Sequence, residues 1–290
     1  MKFLRYISKP LRLKSLTSGT NNTGPAFQKP NIILASFPRS GNTFLRNILM
    51  DVFEVYSWNN IDVYKKAQKN LRNYERLKKL RAISPAKEKR MEIKKHQLSF
   101  RIIKTHEVPS RILPACEDDV RIIYLIRDGR DALVSMAHHR KDIIEQGTDF
   151  TRNLKESIRA PMGTYFGGWG KNVSSWTKIA HLVIHFEKLI SDPVSEIMRI
   201  KEFLDLPEPR LDKVPTFETQ RSGGSHFGGK KRKNLSKEEK DDFNSKFFRS
   251  GKTEAWKDEM PDELKEKFWK KYGDVMLSAG YKKDENNNSK

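Results

Sequence analysis

The chain has 290 residues, and its 57 Lys and Arg against 37 Asp and Glu leave a formal net charge of +20. That length holds one large α/β domain or two small ones, of which we expect one, and its five Trp, eight Tyr and sixteen Phe can fill a sizeable core. A single cysteine, Cys116, excludes a disulfide framework or a cysteine zinc site, and no apolar run approaches the roughly 18 residues of a membrane span, so a soluble, cytoplasmic protein is expected.

Residues 1–30 read as a flexible basic leader. The first 50 residues contain no acidic side chain, and Phe3, Leu4, Ile7 and Leu11 interleave with Lys2, Arg5, Lys9 and Arg12. That pattern allows a peripheral membrane contact or a transit peptide, although Pro10 interrupts it. Ile32, Ile33, Leu34 and Ala35 then form a short apolar run suited to a strand buried on both faces of a parallel sheet. Leu45, Ile48, Leu49 and Val52 recur at helical spacing, so a helix follows a polar turn. Residues 61–95 carry thirteen basic and four acidic side chains and are expected to form helices on the edge of the fold.

Further strands are expected at 100–105, 121–126 and 181–186, with a helix from about Asp131 after the third. Residues 162–176 read as a loop entering a helix, Asp192-Pro193 as a cap opening a helix to Leu204, and Ser236 with Glu239 as a capping box. Residues 221–234 read as a mobile loop and 282–290 as a disordered tail. Strand and helix alternate, which predicts an α/β fold: a single domain, residues 31–281, with a central, mostly parallel sheet flanked by helices.

Candidate chemistry gathers behind the strands, where open α/β sheets bind ligands. Ser36-Phe-Pro-Arg39-Ser40-Gly41-Asn42-Thr43 lies on the nucleotide loop template G-x-x-x-x-G-K-[ST] but has serine for its first glycine and asparagine for its lysine. The positive charge has moved to Arg39. Small residues and hydroxyls at a helix N-terminus suit an anion. Lys104-Thr-His106-Glu-Val-Pro109 follows the second strand, and Arg127-Asp-Gly-Arg130-Asp131 follows the third, with Ser135 about one turn into its helix.

These segments resemble the sulfotransferases that use 3′-phosphoadenosine 5′-phosphosulfate (PAPS), over most of residues 31–281. Ser36 to Phe44 resembles the family's 5′-phosphosulfate loop, Tyr124 to Ser135 its 3′-phosphate motif, and Lys104 to Pro109 the segment carrying its catalytic histidine. Phe248-Arg249-Ser250-Gly251…Trp256-Lys257 is similar to its C-terminal Arg-Lys-Gly motif, and Phe186-Glu187-Lys188-Leu189 to its Tyr-Glu-Asp-Leu segment.

The resemblance implies a P-loop nucleotide-kinase-like fold. It implies transfer of a sulfuryl group from PAPS to an acceptor hydroxyl or amine, with adenosine 3′,5′-bisphosphate (PAP) as product and no metal. The catalytic residues it implies are His106 as base, Arg39 on the leaving oxygens and Lys104 on the moving sulfuryl group. Donor binding falls to Arg39, Ser40, Gly41, Asn42, Thr43, Phe44, Arg127, Ser135, Phe186, Arg249, Ser250 and Gly251. The acceptor, a small molecule, glycan or lipid, is left open.

Departures from the pattern are Arg39 for lysine, Phe186 for tyrosine and Ser250 for lysine. Pro261-Asp262 replaces the Thr-Val of a dimer motif, which argues against dimerisation by that route. Two rival readings remain at this point. A divergent P-loop kinase has Ser36 and Asn42 against it; a basic nucleic-acid-binding protein lacks the interleaved aromatics of any recognised module, so nucleic acid is not an expected partner. His138 and His139 stay unassigned, and Trp169 and Trp176 read as core or pocket wall.

Overall fold

The computed structural model describes residues 32–59, 102–116, 119–160, 166–227, 236–249 and 251–283. The basic leader, the stretch at 61–95, Ser250, residues 228–234 of the expected loop and residues 284–290 of the expected tail lie outside them.

The five strands are β1 (Ile32–Ser36), β2 (Ser57–Trp58), β3 (Ile102–Thr105), β4 (Arg121–Ile126) and β5 (Leu182–His185), parallel throughout and ordered β2-β3-β1-β4-β5. Ile32 pairs with Ile102 on one side and Arg121 on the other, which puts β1 at the centre with all five of its residues buried. Among the described residues the helices of six or more residues are α1 (Asn42–Phe53), α2 (Gly129–His139), α3 (Phe150–Arg159), α4 (Trp169–Thr177), α5 (Phe186–Ser191), α6 (Pro193–Leu204), α7 (Lys237–Phe247) and α8 (Asp262–Ser278), and shorter ones span Pro109–Ile112, Phe217–Thr219 and Trp256–Glu259.

Period-two alternation along the strands divides the core in two. Ile32 and Leu34 pack with Leu45, Ile48 and Leu49 of α1 and Ile197 and Ile200 of α6. Ile33 and Ala35 face the other way, among Leu133 of α2, Trp169 and Trp176 of α4 and Phe268 of α8. Both tryptophans are thus core. The uninterrupted apolar run of β1 is what a strand covered on both faces requires.

Several expectations shift by a residue or a turn. The fourth expected strand ends at His185, and Phe186 instead opens α5. Helix α2 starts at Gly129, because the Asp128 side chain accepts from Arg130 N and caps it, so Ser135 is nearly two turns into the helix rather than one. Residues Gln220–Gly224 form a π-helical turn where a loop was expected. The Asp192 cap and the Ser236/Glu239 capping box form as read.

Chain order also fixes where a ligand fits. From β1 the chain runs outward to β2 and back to β3 on one flank, then crosses to β4 and β5 on the other. The loops after β1, β3 and β4 therefore diverge at the C-terminal edge and leave a crevice there.

Because Leu34 is fully buried at the centre of the sheet, Leu34→Ala should cost roughly 2–5 kcal/mol. Urea denaturation checks this as a lowered midpoint with an unchanged slope.

Candidate active site

The crevice is a cleft of about 720 Å³ at the C-terminal edge of the sheet. The loop after β1 forms its floor. Arg39 has φ 67° and Gly41 φ 91°, so the chain makes two left-handed excursions within three residues. For a non-glycine residue that backbone costs roughly 1–2 kcal/mol, and such strain collects at functional sites. A Cβ at Gly41 would overlap Phe186 Cδ2, so glycine serves both the conformation and the packing. Helix α1 then starts with no side-chain cap and no acidic residue in its first turn, and its first backbone bond is Leu45 N to Gly41 O. The N–H groups of Asn42, Thr43 and Phe44 therefore lack intrahelical partners, at the positive end of the helix dipole.

Asn42 Nδ2 donates to Ser36 Oγ at 3.0 Å. The two positions that depart from the nucleotide loop template thus tie the loop to itself, and Asn42 does not extend a charge as a lysine would. Ser40 Oγ is buried without a partner.

Arg127 leaves the end of β4, is 8% exposed, and donates to Arg39 O at 3.1 Å and to Lys252 O at 3.0 Å, while its Nε has no partner. Its guanidinium lies 4.6 Å from the Phe186 ring and 3.9 Å from Asp131. Asp131 in turn accepts from Glu254 N at 2.7 Å and Trp256 N at 3.0 Å, so the C-terminal segment closes over the loop after β4. Glu187 accepts from Asp128 N at 2.9 Å and from Tyr281 Oη at 3.0 Å, steadying the same loop from α5.

Arg39 points towards Ser135: its Nε donates to Ser135 Oγ at 3.1 Å and its Nη2 to Phe247 O at 2.7 Å. No carboxylate pairs with it among the described residues. Burial, with Arg127 and Arg249 nearby, lowers its pKa to about 10. Arg249 lines the same cleft but is ion-paired with Glu259 at 2.8 and 2.9 Å, and Gly251, at φ 62°, packs on the Phe217 ring. Ser250 lies outside the described residues.

On the other side of the cleft, His106 Nδ1 sits 2.8 Å from Ser36 O. A carbonyl only accepts, so Nδ1 carries the proton and Nε2 keeps a lone pair with no hydrogen-bond partner among the described residues. Burial first, then Lys104, holds the ring's pKa down at about 3, so it is neutral at pH 7. Helix α4 carries its backbone: Asn172 Nδ2 donates to His106 O at 3.0 Å and Trp176 Nε1 to Glu107 O at 2.9 Å, with Tyr124 Oη donating to Asn172 Oδ1 at 3.0 Å. Lys104 has no hydrogen-bond partner among the described residues, and burial followed by Arg46 lowers its pKa to about 7.

The structure thus brings together every described candidate on one cleft except Ser40, which sits beneath it in the loop. It adds residues that sequence reasoning missed. Phe217 stacks on Phe44 with ring centroids 4.8 Å apart and planes at 20°. Phe166 meets His106 edge-on at 5.7 Å. Arg46, between the apolar positions of α1, is turned into the cleft. His139, with a pKa lowered to about 4 by burial and Arg39, also lines it.

A model of the sulfotransferase domain matches residues 29–280. Sulfotransferase 1 family member D1 of Mus musculus is 28% identical over 263 residues, covering 87% of this chain and 85% of its own. Its Rattus norvegicus counterpart is 26% identical over 264 residues with the same 87% and 85% coverage. Among solved structures, mouse sulfotransferase SULT7A1 complexed with PAP aligns with a TM-score of 0.60 at 18% identity, over 87% of this chain and 85% of that one. With the domain model covering most of its length, the chain belongs to the sulfotransferase domain family.

Proposed function

We propose that the cleft binds PAPS and an acceptor side by side, and that the protein transfers the sulfuryl group between them. The carrying observation is the half-buried Arg39, with no carboxylate partner among the described residues, beside the buried Arg127 and the uncapped start of α1. Drawing a cation out of water without a counter-charge is costly, and an anionic ligand relieves that cost. That the mouse neighbour SULT7A1 forms a complex with PAP supports the same reading.

In this reading the N–H groups of residues 41–44 and the Thr43 hydroxyl hold the 5′-phosphate. Arg127, with its free Nε, and Ser135 hold the 3′-phosphate, which a guanidinium suits because two parallel N–H bonds match two oxygens. Gly251 and Arg249 close that end, Arg249 by exchanging Glu259 for the phosphate. Phe186 underlies the Arg127 guanidinium, and Phe44 with Phe217 offers adenine an apolar face. Arg39 meets the oxygen on which charge develops; since it is bonded to Ser135 here, it must give up that bond to do so.

Transfer is in line. The acceptor oxygen or nitrogen attacks sulfur, the bond from sulfur to the bridging oxygen breaks, and the electron pair stays on the 5′-phosphate of PAP. His106 Nε2 takes the acceptor's proton, and Lys104 stabilises the sulfuryl oxygens. Most of the catalysis is then positioning and electrostatics, as in phosphoryl transfer. Arginines and N–H groups meet the donor's charge without a metal.

A kinase reading fares worse, because Asn42 is bonded to Ser36 and leaves no lysine for the β- and γ-phosphates. In a thermal-shift assay without Mg²⁺, PAP should stabilise the protein far more than adenosine 5′-phosphate. Equal shifts would remove the 3′-phosphate assignment.

His106→Ala should lower kcat by about 10²–10⁴ while PAP affinity stays at the wild-type level. A folded variant with wild-type single-turnover rates would leave His106 a structural residue.

Lys104 gives a pH signature. Its folded pKa of about 7 lies below the ordinary 10.5, so the unfolded chain binds more protons between those values and Lys104 makes stability rise with pH there. An anion beside Lys104 restores its proton. Calorimetry of PAP binding at pH 8.5, in two buffers of different ionisation enthalpy, should therefore show proton uptake that Lys104→Met abolishes. No uptake in the wild type would place the donor away from Lys104.

A further inference from the structure

Arg46 has no part in the donor scheme, yet it is 4% exposed and stands on the wall of the same cleft. Its Nε donates to Ser57 Oγ at 2.6 Å, its Nη2 to Ser57 O at 2.8 Å and its Nη1 to Asn59 Oδ1 at 2.9 Å. Its guanidinium lies 3.8 Å from the Phe227 ring centre. Every one of these partners is neutral. They use three of its five N–H groups, which leaves one on each terminal nitrogen. Lys104 shares this flank, equally without a carboxylate partner among the described residues, and Arg46 is the principal charge acting on it. Glu145, a carboxylate on the cleft, is held by Arg140 at 2.9 Å.

The cleft therefore holds two groups of cations. Arg39, Arg127 and Arg249 gather at the donor end. Arg46 acts on Lys104, and both act on His106, which Arg39 reaches as well. Fixing a guanidinium in a rigid cradle of Ser57, Asn59 and Phe227 orients it while leaving its charge unneutralised. A neutral acceptor would bury that charge further with nothing to offset it.

We propose that the acceptor carries an anionic group of its own, a carboxylate or phosphate ester, which docks on Arg46 beside Asn59 while its hydroxyl or amine faces His106. Phe227 and Phe166 supply apolar contact for the rest of the molecule. The inference rests on the reading of the cleft as a paired donor and acceptor site, and its test is separable from that reading.

The probes are 4-hydroxyphenylacetate, 4-hydroxyphenylacetamide and tyramine, which share a phenol and differ in charge. Their affinities are measured by calorimetry on PAP-saturated protein. The acetate should bind roughly 10- to 100-fold more tightly than the amide, the range of a hydrogen bond to a charged group, with the amine weakest. Arg46→Gln should bring the acetate down to the amide's level and leave PAP affinity intact. Asn59→Asp, which supplies a carboxylate in contact with Arg46, should erase the preference as well, and it decides the matter if Arg46→Gln no longer binds PAP. Equal affinity for the three probes, no binding of any of them, or a parallel loss for all three in Arg46→Gln would overturn the proposal. Failure of PAP to bind the wild type would instead count against the donor assignment.

Discussion

The cleft hangs on Arg127. One guanidinium reaches the carbonyl of Arg39 behind β1 and the carbonyl of Lys252 near the C-terminus, segments more than eighty and more than a hundred residues away in sequence. Asp131, one turn further along α2, repeats the connection through two backbone N–H groups of the C-terminal segment. Charge-assisted bonds in a buried setting are strong and directional. The arginine proposed to hold a phosphate is thus also the brace that holds two walls of the site together.

Two design choices follow from building the site around buried and half-buried cations. The cations fall into two groups along the cleft, Arg39 with Arg127 and Arg46 with Lys104. Carbonyls, hydroxyls and aromatic faces fix Arg39 and Arg46, whereas Asp131 stands beside Arg127. His106 sits between them and stays neutral without any acidic partner, its tautomer set by one backbone carbonyl of β1.

Much of this was legible in the sequence because the governing signals are local. Strands β1 and β4 carry apolar runs buried on both faces, and the loop after β1 announces itself by small residues and glycine. The two-residue β2 has no periodicity to detect, and π-helical turns such as Gln220–Gly224 have no sequence pattern of their own. The missed site residues were missed for physical reasons. Arg46 stands within an amphipathic helix, where an arginine reads as the solvent face, and only the approach of Ser57 and Asn59 turns it inward. Phe217 opens a three-residue helix, too short to show a period, and its stacking depends on Phe44, distant in sequence. Arg249 reads as a phosphate ligand in the sequence; that Glu259 holds it follows from the fold of the C-terminal segment alone.

The packing of Gly41 on Phe186 has an evolutionary consequence. The absent side chain of one residue is the space occupied by the aromatic ring of the other, and that ring also carries the Arg127 guanidinium. Positions 41 and 186 therefore cannot drift independently. A tyrosine at 186 preserves the plate and demands nothing new at 41, whereas any side chain at 41 requires a smaller residue at 186, which strips the arginine of its support, and still meets a left-handed backbone. Covariation between these two positions should be narrow, confined to exchanges among flat rings at 186 over an unvarying glycine.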